Sequence, residues 1–115
     1  MFRMFSAVGI LALLVSEAQA CALADFSIKQ PNWRRTIADF VEASGELVSN
    51  CDDAVGAQIQ VVFRDKAGQV VKAEDLWPAS TKNIAAHDSY PFTLTFHVGT
   101  EAATMSMGVI ELRRW

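Results

Sequence analysis

Two cysteines, Cys21 and Cys51, are the residues of this chain with the clearest chemistry. In an exported protein two thiols most simply close one disulfide, here around a loop of about 30 residues. On the chain-entropy account that closure is worth roughly 3–4 kcal/mol. The rival fate of Cys21 is lipidation, which bacterial lipoprotein signals direct to a cysteine immediately after the cleavage site. Such signals prefer a leucine-like residue three places earlier and a small one two places earlier. Ala18 and Gln19 hold those places, a poor match.

Copper is the next chemistry the residue types suggest. Thioether and imidazole suit it, and His87, His97, Met105 and Met107 supply both. No pair among them has diagnostic ligand spacing, and methionines two apart on a strand usually fill a core. The weaker metal reading therefore rests on His97 with Met105 or Met107. Asp52-Asp53 and Asp39/Glu42 are carboxylate pairs of the type used for calcium or glycoside chemistry; a solvated loop accounts for Asp52-Asp53 more simply. A nucleophilic enzyme needs a Ser or Cys, a His and an orienting acid brought together. The chain has no nucleophile-elbow glycine pattern, and both cysteines have a better use. The expectation is a protein without catalysis or cofactor. The surplus aromatics are Trp33, Trp77, Tyr90 and Trp115. Trp33 reads as packing, whereas Trp77, beside Pro78 at a strand end, reads as partly exposed. Arg113-Arg114-Trp115 forms a small basic-aromatic tail that either caps the fold or marks a partner contact, since Trp and Arg are favoured interface anchors.

The first residues carry the marks of a leader. Arg3 is a short positive region, 7–15 is an uncharged apolar run too short to span a bilayer, and Ala18-Gln19-Ala20 fits small-x-small cleavage. This predicts a signal peptide over 1–20 and one mature domain over 21–115, in a periplasmic or secreted protein. A retained anchor is the competing reading, and Glu17 argues against it. Removing Arg3 and Glu17 takes one charge of each sign, so the net charge stays at −3. That modest acidity gives no basic footprint for nucleic acid or for an anionic membrane. A membrane enters only if Cys21 is lipidated.

The elements that must position these residues read as strands. Ala57, Ile59, Val61 and Phe63 alternate with polar residues, Asp65-Lys66-Ala67-Gly68 supplies a turn, and Val70-Val71 resumes a strand, which makes a hairpin. The run 24–30 reads as an edge strand stopped by Pro31-Asn32. From Trp33 to Val48 a helix and a strand compete; the strand is favoured, with Ile37, Val41, Ala43, Gly45 and Leu47 on one face. The run 69–74 is a strand, and a connection over 79–89 includes a short strand near 82–85. Pro91 opens a strand in which Phe92, Leu94, Phe96 and Val98 alternate. The last strand runs from Thr104 to about Arg113, with a bulge predicted at Gly108, where the Met105/Met107 phase gives way to Ile110/Leu112. Six or seven short strands without a helical crossover predict an all-β, immunoglobulin-like antiparallel sandwich, with a small closed barrel as the alternative.

Gly45, Leu47, Ser49-Asn50, Asp65, Gly68, Val70-Val71 and Pro91-Phe92 together resemble a group of small extracytoplasmic domains typified by the FxLYD domain. Those domains set a glycine, an aliphatic residue and an asparagine at alternate positions of one strand. An Asp-x-x-Gly turn, a Val-Val strand and a Pro-Phe strand start follow. The asparagine here comes one residue late, and the loop 86–90 lacks the usual Pro-Gly. The resemblance implies an immunoglobulin-like scaffold without an active site. The functional expectation is a small exported binding module whose partner is an unidentified protein or surface ligand. The alternatives are a cupredoxin-like copper protein and an envelope domain anchored by lipid at Cys21.

Overall fold

A computed structural model describes residues 20–115. The leader expected over 1–20 lies outside the described residues apart from Ala20. After a 3-10 turn at Leu23–Asp25 come β1 (Phe26–Arg35), β2 (Phe40–Ser49), β3 (Gly56–Arg64), β4 (Val70–Leu76), β5 (Ser89–His97) and β6 (Thr104–Arg113). They form two antiparallel three-stranded sheets, in the orders β1-β2-β5 and β4-β3-β6. The fold is an all-β sandwich, and this order of connections follows the immunoglobulin-like pattern with six strands. β1 runs beside β6 without a ladder between them, so the sandwich does not close into a barrel there.

β3 is the centre of the molecule, as its alternation requires. Ala57, Ile59, Val61 and Phe63 are buried, and they face Val41, Ala43 and Leu47 of β2 and Phe92 and Phe96 of β5 across the core. The Phe63 ring meets Trp33 edge-on at 5.7 Å and Phe96 at 5.5 Å, so one aromatic column joins the sheets. The hairpin forms as its turn residues demand. The Asp65 carboxylate accepts from the N–H groups of Ala67 and Gln69, both at 2.9 Å, and Gly68 takes φ +85, which an L side chain resists.

Several expectations are corrected. β1 does not stop at Pro31-Asn32. Gln30 and Pro31 together face one residue of β2, a bulge with Gln30 at φ 53, and pairing resumes from Asn32 to Arg35. Proline's missing N–H is harmless where the ladder is already interrupted. The contested segment is strand from Phe40, but Ile37 belongs to the turn before it and is 76% exposed, so it does not share the buried face. The bulge in β6 is not at Gly108, which pairs with Gln60. Gln58 pairs with Glu111 and Ile59 with Val109, which leaves Ile110 as the extra, exposed residue. Ile110 and Leu112 therefore do not share a face. Near 82–85 there is a single bridge, Ile84 to Val55, rather than a strand.

Candidate functional site

Cys21 and Cys51 are joined in a disulfide with Cα atoms 5.6 Å apart. Asp25 places Cys21: its carboxylate accepts from the N–H of Ala22 at 2.8 Å, and its carbonyl accepts from that of Asn50 at 2.7 Å. Cys51 is buried, with its N–H on the Ser49 hydroxyl and its carbonyl accepting from His87. The bridge thus fastens the start of the domain to the loop between the sheets. It also occupies the sulfur that the lipid-anchor alternative requires.

The ends of two strands, β4 and β6, bring together Trp77, Arg113 and Trp115. The Arg113 guanidinium lies over both indoles, 5.3 Å from the Trp77 centroid and 4.9 Å from that of Trp115, and the two rings meet edge-on at 5.3 Å. A cation facing two aromatic faces is attracted by both quadrupoles. Asn83 fixes the tail, accepting from the Trp115 N–H at 2.9 Å and donating to its carbonyl at 3.4 Å. Gly56, the first residue of β3, lets the ring settle: a Cβ there would fall against Nε1 and Cδ1 of Trp115. Trp115 caps this corner of the sandwich and still leaves 42% of its surface in solvent. Arg114 turns the other way and pairs with Asp53 at 3.1 Å. Of the four residues expected to meet a partner, three form one cluster and Arg114 borders it. Gly56 and Asn83 carried no signal in the sequence, because their partner is the far end of the chain.

The copper candidates are not assembled. His97 faces solvent from β5, with its ring 5.0 Å from Phe40 and its Nε2 3.7 Å from Asp39. Met105 and Met107 are in register with Phe63 and Val61, on the core side of the other sheet. His87 pairs with Asp52 at 2.6 Å. No group of three or more His, Cys, Asp or Glu able to hold a metal occurs among the described residues. The carboxylate pairs separate in the same way. Asp52 meets His87 while Asp53 meets Arg114; Asp39 meets His97 while Glu42 meets Arg34 at 2.8 Å.

Arg35, which the sequence did not single out, makes the densest side-chain contact of the opposite end. Its guanidinium donates to the carbonyls of Gly99, Thr100 and Ala102 at 2.9, 2.9 and 2.7 Å. Among the described residues no helix is long and apolar enough to cross a membrane. No family model matches the chain, and neither curated proteins nor solved structures give a match.

Proposed function

We propose that the protein is an exported binding module, acting by contact rather than catalysis, and that Trp77, Arg113 and Trp115 are its anchor. The observation that carries this reading is the stacking of one guanidinium on two half-open indoles at a strand-end corner. Its side chains are fixed before any partner arrives, so ordering them on binding costs little entropy, and Trp and Arg are the residues that dominate binding at interface centres. The leader pattern over 1–20 and the disulfide support export. The FxLYD-like pattern in the sequence carries the same expectation of a scaffold without an active site. The partner class that fits is a protein of the cell envelope or its surroundings.

The test is capture from the native exported fraction with immobilised domain 21–115, beside Arg113→Ala and Trp115→Ala forms. Retention of one protein by the parent, weakened at least tenfold by either substitution, is the expected result. A partner held equally by all three forms moves the contact elsewhere on the sandwich. Retention of nothing by the parent overturns the reading.

A further inference from the structure

Arg114 and Trp115 are each tied to a loop that the disulfide fastens. Asp53 makes the direct link: its N–H donates to Cys51 Sγ at 3.4 Å, and its carboxylate pairs with Arg114 at 3.1 Å. Two residues further on, Val55 and Ile84 exchange both backbone hydrogen bonds, at 3.3 and 2.8 Å. Ile84 follows Asn83, whose side chain fixes the N–H and the carbonyl of Trp115. The same two loops meet again at His87, which donates its N–H to the Cys51 carbonyl and pairs its ring with Asp52. Cys21 itself lines one niche with Val55, Leu112, Arg113 and Arg114. The polar contacts on Arg114 and Trp115 thus run through loop 51–55 or through the connection bridged to it.

We propose that the disulfide is the catch of this corner: closed, it seats the tail, and opened by a dithiol, it lets the tail go. The corner is then an anchor only in the oxidised domain, a regulation that rests on reading Trp77, Arg113 and Trp115 as the anchor. Cys21 is half-buried beside exposed Ala22, whereas Cys51 is 5% exposed, so an incoming thiolate meets Cys21 Sγ first. A new S–S bond forms there, the old one breaks, and its electron pair passes to Cys51 Sγ. The Asp53 N–H already donates to that sulfur and meets the charge it acquires. The second thiolate of the dithiol attacks the mixed disulfide and expels the Cys21 sulfur. The dithiol leaves as a disulfide, two electrons poorer, and the cysteine sulfurs take up the two protons it gave up. Without its bond to Cys21, loop 51–55 gains freedom, and Asp53 and Val55 pass that freedom to Arg114 and Asn83. The fully buried side chains of Val41, Leu47, Ile59, Val61 and Phe63 meanwhile keep the two sheets together. Such coupling is reciprocal: a bridge that favours the seated tail is favoured by it in turn.

The test places the mature domain in buffers of graded reduced-to-oxidised dithiothreitol, well below its melting temperature. Thiols are counted by trapping and mass, and the tail is followed by tryptophan emission and iodide quenching. The expected result is a red shift and stronger quenching across the same buffers in which thiols appear, with the strand signal in circular dichroism retained. Asp53→Ala and Trp115→Ala loosen the tail without touching either sulfur. Each should open the bridge at a reductant ratio lower by about twofold or more, the scale of one solvent-facing ion pair. Asp53→Glu, which keeps a carboxylate for Arg114, should open with the parent. A tail still seated after the thiols appear, midpoints unmoved by either substitution, or strands lost in step with the bridge overturns the proposal. The anchor reading fails separately. An oxidised domain that captures nothing defeats the anchor and leaves the dithiothreitol result standing as a coupling within the domain. A partner held equally by oxidised and reduced forms keeps the anchor and overturns the catch.

Discussion

Trp115 meets the rest of the domain through one missing methyl group. A Cβ on Gly56 would sit against the indole and 3.2 Å from the Lys82 carbonyl oxygen, so Gly56→Ala displaces the ring rather than the strand. The expected cost is about 1 kcal/mol, the low end for overpacking, because a chain-end side chain can move aside. Tryptophan emission shifts to the red as the Trp77–Trp115 contact opens. In a Trp115→Ala background the alanine at 56 costs less, because only the 3.2 Å contact with the Lys82 carbonyl oxygen remains, and that pair of thermal melts checks the argument. The tail's aromatic and basic character was legible in the sequence; the niche it enters was not. A glycine ahead of an alternating run reads as an ordinary strand start, and only the fold brings Gly56, Asn83 and Trp77 to the last residue.

At the scale of elements, Arg35 ends β1 and holds the loop between β5 and β6 by three carbonyls. The guanidinium also lies 5.7 Å from the Trp33 ring, so it is braced from its own strand. Arg35→Ala should leave the sheets intact and loosen that loop. Amide exchange over 100–103 is expected to quicken at least tenfold, with a melting temperature lowered by only a few degrees, as for the loss of solvent-facing hydrogen bonds. The hairpin β3–β4 was legible because its signals are local: alternation, an aspartate that closes a turn, and a glycine four residues into it. The bulges were not. Each shifts the apolar phase, from Ile28 to Trp33 in β1 and from Val109 to Leu112 in β6. The sequence shows such a shift but does not say which residue is left over. Proline suggested a stop at 31 and glycine suggested position 108, whereas the register of the neighbouring strand decides both.

The molecule as a whole is two thin sheets whose buried side chains come from a small number of strands, so its stability leans on the link between Cys21 and Cys51. That pairing was legible from a count of two cysteines, and the order of the sheets was not, because alternation assigns faces but not neighbours. The bridge spans a sequence separation of 30, and it ties the entry to β1 to the loop that carries the chain from β2 across to β3. Cutting it frees the end of one sheet and the crossover to the other together. Cys21→Ser/Cys51→Ser is expected to lower stability by about 3–4 kcal/mol, and the melting temperature by more than about 10 °C. The double substitution is preferable to either alone, since it leaves no thiol to form mixed species. A reductant should lower the melting temperature of the parent by a similar amount and leave the double variant where it is. Intact mass closes the argument: exported material two hydrogens lighter than the reduced chain fits the bridge. Added diacylglycerol, or two free thiols in a domain that melts no lower on reduction, contradicts it.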